Sequence, residues 1–333
     1  MLRTVAFACL ALAGCESCGT DGVHHLPDAP PPPDAPLDAF TGPHTGGVIV
    51  VTESPAGSAP QNAWGGVLGY KFATTGGAET AITGIDKSLV RDPVSVVLRP
   101  GTTEILVSDR HGNAAADGVA GSLSRFRYDP ATQAFTASGT ITGASLIAPH
   151  QAAFDPTTGE LFVATKDNGV ARFTFSGDTA TEGTPLAIGP TRGIAIAPDG
   201  KRLYVTTASN VIRQFVLPAG TEVAPITVPV AANFHFCAFR AGQLYVAGLD
   251  VAKIYRYRIE ADDSLTEVAQ IDTVPNPAGL GFSEDGLEMF VPGHRTTTQI
   301  GRLRYEAASD TWTPTTEISV AGSLGGIAIL PIR

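Results

Sequence analysis

The chain has 333 residues, of which 43% are hydrophobic and only 16% are charged, and its formal net charge is −10. This acidic balance, with no basic cluster along the chain, argues against nucleic acid as a partner, because phosphate binding needs concentrated positive charge. The 37 glycines and the lack of an amphipathic helical stretch favour an all-β domain.

The first segment, residues 1–14, has one early arginine followed by an apolar run. This run has the length of a signal-peptide core and is too short to span a bilayer as a mature helix. Residues 12–15, LAGC, resemble a bacterial lipobox, which implies cleavage before Cys15 and acylation of that cysteine. We therefore expect a lipoprotein anchored to a membrane of the bacterial cell envelope, on its periplasmic side or outer surface. The alternative is an ordinary secretory signal with a chance cysteine.

The next segment, residues 15–45, contains the run PDAPPPPDAPLDAF. It has almost nothing to bury, and its prolines restrict the backbone, so we expect a disordered, extended tether. The four cysteines of the chain form neither a disulfide framework nor a zinc pattern. Cys237 lies in an apolar strand and is expected to be a buried thiol, whereas the role of Cys18 stays open.

The remainder, residues 46–333, repeats one phrase made of an apolar run, a tight turn and a second β-rich run. In residues 191–207 the phrase reads TRGIAIAPDGKRLYVTT. The valines that close the second run recur at about the 40–50-residue spacing of propeller blades. They are Val107, Val163, Val205, Val246 and Val291. Third and fourth predicted strands follow each valine, so the pattern predicts four-stranded blades of a β-propeller.

The two ends of this region predict how the ring closes. Residues 325–331, GGIAILP, read as a first strand with no second strand after it, and residues 46–53, GGVIVVTE, read as a second strand with no first strand before it. Pairing them in one blade closes the ring and removes exposed sheet edges. The count is then six blades, and seven is the alternative if the two long first units hide another blade.

Each predicted third strand after the first unit carries an arginine, in RFRY, RFTF, RQFV, RYRI and RLRY. We interpret these residues as structural, with stems that cover the neighbouring blade and heads that bind backbone carbonyls. They are Arg125, Arg172, Arg213, Arg256 and Arg302.

The phrases APDGKRLYV, DPTTGELFV and SEDGLEMFV, with YDPATQAFTASGTI as a turn between third and fourth strands, resemble the lactonase-like and YVTN-type β-propeller families. This resemblance covers nearly everything after the tether. It implies the propeller fold, and sugar-lactone hydrolysis as one activity that the family offers. Relatives of 6-phosphogluconolactonase usually have seven blades, whereas metal-dependent gluconolactonase-like propellers usually have six.

First strands line the axis of a propeller, so residues at one aligned position near their start should meet at its axial mouth. In three consecutive blades this position holds His150, Arg192 and His235. Two residues past the closing valine of the second strand, neighbouring blades add the carboxylates of Glu53 and Asp109. This set would bind a divalent metal through imidazole and carboxylate, or polarise a carbonyl and move a proton. The alternative is that the polar residues only fill a wet channel.

Two long loops between second and third strands, residues 54–66 and 111–121, lie on the same predicted face, and insertions on one face often mark a binding face. Trp64, His111 and His294 are further ligand-binding candidates on loops of that face.

Two functions remain open from the sequence. The first is an exported, lipid-anchored module that binds a small polar ligand or another envelope protein. The second is a lactonase-like hydrolase that acts at the axial mouth on a small lactone.

Overall fold

The computed structural model describes residues 46–54, 65–73, 79–110, 120–166, 168–228, 233–294, 298–320 and 322–331. The predicted signal peptide and tether, with Cys15 and Cys18, lie outside the described residues, as do Trp64 and His111. In the described part, the one helix is a 3-10 turn at Lys87–Leu89, and no helix is long and apolar enough to cross a membrane.

Twenty-four strands form six antiparallel sheets of four. The first three blades contain β1 (Gly46–Ser54), β2 (Gly66–Ala73), β3 (Thr80–Ile85), β4 (Pro93–Leu98), β5 (Glu104–Asp109), β6 (Ser122–Asp129), β7 (Ala134–Ile141), β8 (Pro149–Phe154), β9 (Leu161–Thr165), β10 (Gly169–Ser176) and β11 (Thr179–Glu182). The next three contain β12 (Gly193–Ile196), β13 (Arg202–Thr206), β14 (Val211–Val216), β15 (Thr221–Thr227), β16 (Phe234–Arg240), β17 (Gln243–Gly248), β18 (Lys253–Ile259), β19 (Leu265–Asp272), β20 (Gly281–Phe282), β21 (Glu288–Pro292), β22 (Gln299–Glu306) and β23 (Thr311–Ser319). The last strand, β24 (Ser323–Pro331), completes blade 1.

The predicted closure is confirmed. Strand β24 pairs antiparallel with β1, so blade 1 has the order β24-β1-β2-β3 and joins the two ends of the domain. Blades 2 to 6 follow along the chain with four strands each. The protein is therefore a six-bladed β-propeller, and the seven-bladed alternative does not hold.

A glycine with a left-handed backbone closes the turn between first and second strands in five blades. Its φ lies between 67° and 71° in each of them, a conformation that costs glycine little because it has no Cβ. The glycines are Gly101, Gly159, Gly200, Gly242 and Gly286. The repeated turn of the sequence is thus one repeated backbone shape.

Six apolar clusters form the core, one between each pair of neighbouring blades. Strand β1 shows the principle, because Val48 and Val50 pack toward blade 2 while Ile49 and Val51 pack toward blade 6. Both faces of an inner strand are buried in this way, which explains the continuous apolar runs of the repeats. Cys237 is a buried free thiol, as predicted.

The structural interpretation of the third-strand arginines is confirmed, since all five bind backbone carbonyls, and four of them share one position in the strand. Each of the four binds a backbone carbonyl in the next blade around the ring. The contacts run from Arg125 to Asp178 O at 2.6 Å, Arg172 to Pro218 O at 3.4 Å, Arg256 to Asp310 O at 3.1 Å and Arg302 to Ala73 O at 2.9 Å.

The assignment of Arg213 to this set is wrong by one residue. Strand pairing places Gln214 opposite Tyr204 of the second strand. At the equivalent position of the second strand in blades 2 and 5, the opposite residue is Arg125 or Arg256. Because successive side chains of a strand point to opposite faces, Arg213 points the other way, where it binds Glu222 and the carbonyl of Ile188.

Candidate functional site

The first strands change register near their starts, at the end of the propeller where the axial mouth was predicted. In blade 3 the pairing of β8 with β9 breaks between Pro149 and Ala152, and in blade 5 the pairing of β16 with β17 breaks between Phe234 and Cys237. A bulge bends a strand and re-aims its side chains. The bulged segments contain His150 and His235, so the predicted histidines lie where the ladder is interrupted.

His150 is buried, with 5% of its surface exposed. Its Nδ1–H donates to the carbonyl of Ala148 at 2.9 Å, and the same carbonyl accepts a hydrogen bond from the backbone of Lys166 at 3.1 Å. Ala148 itself has a φ of 48°, unusual for a residue with a side chain. A local backbone distortion therefore sets the orientation of the imidazole.

His235 is held in the same manner by the next blade. Its Nδ1–H donates to Ala278 O at 2.6 Å, and its ring stacks on Phe236 with centroids 4.2 Å apart. The ring of His294 lies parallel at 6.1 Å, and its Nδ1–H donates to Leu324 O at 2.7 Å. For His150 and His235, this tautomer leaves Nε2 as a hydrogen-bond acceptor.

Burial keeps both imidazoles neutral. It lowers the pKa of His150 to about 3, and the cations Arg110, Arg192 and Lys166 act in the same direction against the bond to Ala148. Burial also places the pKa of His235 well below its ordinary value, with His294, His150 and Arg192 adding to the shift. The charge of Arg192 thus acts on both of the predicted histidines.

Three cations act on His150, and the sequence predicted only Arg192 at the mouth. Arg192 donates to Asn233 Oδ1 at 3.3 Å, and Arg110 forms an ion pair with Asp92 at 2.7 Å. Lys166 has no ion-pair partner in the part of the chain that the structure describes. We use "axial mouth" for the set His150, His235, His294, Arg110, Lys166 and Arg192.

The predicted carboxylates have contacts outside this set. Asp109 is buried and accepts hydrogen bonds from the backbone N–H groups of Arg91 at 3.1 Å and Asp92 at 3.2 Å, so it organises the chain that enters blade 2. Glu53 lines a separate cleft of about 360 Å³ beside β2 and β3. In blade 2 the charge that acts on His150 belongs to Arg110, the residue after Asp109. Successive side chains of an extended chain point to opposite faces, which explains why the neighbour of the predicted residue has this effect.

The predicted metal site gains no support. No group of three or more histidine, cysteine or acidic side chains within the described ranges is arranged to hold a metal ion. Without Glu53 and Asp109, the axial mouth offers neutral imidazoles and cations, and cations repel a divalent metal. The arrangement suits a ligand that carries negative charge or a polarised carbonyl.

The floor of the mouth is a feature that the sequence did not reveal. One position further along each first strand, the six blades contribute Ser95, Gln151, Gly193, Phe236, Gly279 and Gly326. Phe236 is buried, and a Cβ built on Gly326 or Gly279 would lie 3.2 or 3.3 Å from its ring. Gln151 reaches across to Cys237. Phe236 and Gln151 are therefore the two large side chains at this level, and glycines of two other blades leave room for Phe236.

The fold of the whole chain is similar to that of several solved structures. A candidate 6-phosphogluconolactonase from Bacteroides fragilis superposes with a TM-score of 0.64 at 14% identity, over 86% of this chain and 98% of that chain. The periplasmic gluconolactonase PpgL of Pseudomonas aeruginosa gives 0.57 at 16% identity, over 83% and 84%. A chain of a nidogen/laminin complex gives 0.58 at 14% identity, over 85% and 98%. The chain shares their fold.

No protein-family model matches the sequence, and no curated protein matches it. At these identities the likeness establishes the propeller fold alone, since propellers carry many unrelated functions. The activity has to be argued from the axial mouth.

Proposed function

We propose that this protein is a hydrolase that opens small lactones bearing an acidic group, with the axial mouth as its active site. The observation that supports the proposal is a pair of buried, neutral imidazoles, His150 and His235, whose pKa values are both lowered further by the charge of Arg192. The shared fold with PpgL and with a candidate 6-phosphogluconolactonase supports it, because those proteins are named for lactone chemistry.

The chemistry requires a base, a charge to stabilise the carbonyl oxygen and an acid for the leaving oxygen. In the proposed reaction, Nε2 of His150 or His235 accepts a proton from the attacking water while water oxygen bonds to the acyl carbon. Arg192 stabilises the negative charge that develops on the carbonyl oxygen. The imidazolium then returns its proton to the ring oxygen as the acyl carbon–oxygen bond breaks. The product is a hydroxy acid, and the imidazole is neutral again.

The cations give the proposal its substrate class. Arg110, Lys166 and Arg192 come from three consecutive blades, and the positive charge of each acts on His150. Arg110 also forms an ion pair with Asp92. In a protein with a net charge of −10, this group of cations favours a ligand with an anionic group.

A second candidate function is binding of the same ligands without turnover. The low pKa of His150, about 3, favours it, because a weak base takes a proton from water poorly at neutral pH. The same mouth would then recognise an acidic ligand through its cations and through the acceptor Nε2 atoms.

The test compares a matched pair of lactones, glucono-δ-lactone and its 6-phospho derivative, with the purified protein and with a His150→Gln, His235→Gln double variant. We expect hydrolysis above the spontaneous rate, faster for the phosphorylated lactone, and lost in the double variant while the fold is retained. Binding of phosphogluconate by calorimetry without hydrolysis would establish the second candidate. If the protein neither hydrolyses these lactones nor binds phosphogluconate, the proposal of a site at the axial mouth is refuted.

We also propose that the protein is exported and lipid-anchored in the bacterial cell envelope, on the grounds of the signal-like residues 1–14 and the lipobox-like LAGC. Cys15→Ser is then expected to abolish acylation and to release the protein from membranes. Fractionation of expressing bacterial cells, with a high-salt wash of the membranes, measures this. Complete retention of the Cys15→Ser protein on washed membranes would contradict the lipoprotein assignment.

A further inference from the structure

The side chain of Gln151 connects three blades through the centre of the propeller. Its Oε1 accepts hydrogen bonds from Ile194 N at 2.9 Å in blade 4 and from Cys237 N at 3.0 Å in blade 5. Its Nε2 donates to Cys237 O at 2.7 Å. One amide from blade 3 thus satisfies three backbone groups on the first strands of the next two blades.

These backbone groups need such a partner because of their position. A first strand pairs with the second strand on one side only, so its other edge faces the axis and has no neighbouring strand. Unpaired backbone groups in a buried place are costly, and the Gln151 amide supplies the missing hydrogen bonds. In blade 5 it does so beside the bulge between Phe234 and Cys237, where the ladder is already interrupted.

Each contact of Gln151 lies next to a residue of the axial mouth. Gln151 follows His150 directly, Ile194 is two residues after Arg192, and Cys237 is two residues after His235. The same amide therefore fixes the three backbone segments that carry these side chains. No other blade offers a comparable group at this level, where Ser95, Gly193, Gly279 and Gly326 stand.

We propose that Gln151 is a positioning residue, whose amide sets the separation and orientation of His150, Arg192 and His235. Its side-chain amide bonds to backbone groups of Ile194 and Cys237, so it acts through these segments rather than on the ligand. Its effect on turnover rests on the proposed function, whereas its effect on the geometry of the imidazoles does not.

The experiment replaces Gln151 by Met, which keeps the length of the side chain and removes the hydrogen bonds, and by Asn, which keeps an amide too short for all three contacts. Ser95→Ala is the matched control, because Ser95 occupies the same level in blade 2 and its hydroxyl shares a hydrogen bond with Ser108 Oγ, 3.4 Å away in the same blade. All proteins are labelled with ¹⁵N-histidine, and NMR at neutral pH reports the tautomer and the Nδ1–H protons of the buried rings.

In the wild type and in Ser95→Ala we expect His150 and His235 as Nδ1–H tautomers with protected protons. In both Gln151 variants we expect the His235 proton to broaden and its nitrogens to shift toward a tautomer average. For the phosphorylated lactone, kcat should fall on the order of 10–100-fold with little change in KM, since a displacement near 1 Å misaligns the reacting groups.

A folded Gln151→Met or Gln151→Asn protein with unchanged histidine signals would overturn the proposal, and so would failure of both variants to fold, which would make Gln151 purely structural. If the wild type hydrolyses neither lactone, the proposed function fails by itself, and the NMR result still decides the positioning role.

Discussion

The arginines on the third strands and the cations at the axial mouth have different electrostatic surroundings. Arg302 is buried between two buried carboxylates, with Glu79 at 2.7 Å and Glu288 at 2.7 Å. At the mouth, the charges of Arg110, Arg192 and Lys166 act on the neutral imidazole of His150, while Asp109 accepts backbone hydrogen bonds and Glu53 lines a separate cleft. Charge that is compensated between blades stabilises the ring, whereas the cations at the mouth help burial to keep an imidazole neutral.

The buried pairs of arginine and glutamate differ in the direction in which the pKa of the glutamate is shifted. Burial alone would raise the pKa of Glu104, but hydrogen bonds from Arg125, Arg99 and Ser138 hold it below its ordinary range. Burial raises the pKa of Glu288 even beside Arg302. The blade 6 carboxylate accepts side-chain hydrogen bonds from Arg302, and the charges of Arg302 and Arg304 only partly offset its burial, so loss of Arg302 should be costly.

The largest expected effect follows from this dependence. Arg302→Met should lower the free energy of unfolding by roughly 3–5 kcal/mol, because it leaves two buried carboxylates without their cation. Denaturant titration measures it, and histidine NMR should show an unchanged axial mouth. A loss below about 1 kcal/mol, the range of an exposed pair, would contradict the buried role of Arg302.

The next largest effect is expected on acidification, which should remove the stability contributed by the neutral His150 at the axial mouth. The pKa of His150 is about 3 in the folded protein and near 6.5 when unfolded, so its contribution to stability is present above pH 6.5 and is lost as pH falls toward 3. Between these values His150 should account for up to ~1.4 kcal/mol of stability per pH unit.

Denaturation of the wild type and of His150→Gln over this pH range tests it. Carboxylate titrations are common to both proteins and cancel in the difference, so the wild type should show the steeper loss toward acid. Equal slopes would mean that His150 titrates normally and is not buried as described.

Removing one cation from the mouth should affect binding rather than folding. Lys166→Met is expected to weaken binding of phosphogluconate about tenfold at low salt, with less effect at high salt, because one charge near an anion contributes on the order of 1 kcal/mol. Calorimetry measures the affinity. Lys201→Met is the matched control, since its ammonium group is exposed in a turn near Asp199. Equal affinities of the two variants would show that the mouth does not select charge.

The smallest effect is expected at Arg213. Its pair with Glu222 is partly exposed, so Arg213→Met should change stability by less than ~1 kcal/mol. Measured beside Arg302→Met, it tests the register that separates Arg213 from the buried arginines. A loss as large as that of Arg302→Met would restore Arg213 to their set.

The sequence predicted the architecture because the propeller is built from local units. Each hairpin repeats its turn glycine and its apolar runs, and the pairing of β24 with β1 could be inferred from two incomplete units. The error at Arg213 arose from matching arginines by identity. In RFRY, RFTF, RYRI and RLRY a large apolar residue follows the relevant arginine directly, whereas Phe215 follows Gln214, and this signal would have given the correct register.

The site was less predictable because it depends on contacts between blades. Aligned positions brought His150, Arg192 and His235 together, yet they could not show that bulges orient the rings or that carbonyls of Ala148 and Ala278 choose the tautomer. The sequence predicted Asp109 at the mouth, whereas the charge that acts on His150 belongs to the next residue, Arg110. Successive side chains of an extended chain point to opposite faces, so an error of one residue changes the predicted charge. The filling of the axis by Phe236 depends on glycines from two other blades.

The packing of Phe236 and Gln151 in the axis has a kinetic consequence. Because Phe236 and Gln151 follow the histidines along the first strands, we expect a solute bound at the mouth to leave by the opening through which it entered. For the proposed lactonase, the hydroxy acid product keeps the acidic group that the cations recognise, and it has to depart before the next lactone can bind. The product should therefore be a competitive inhibitor, and its release should limit the turnover of a saturated enzyme.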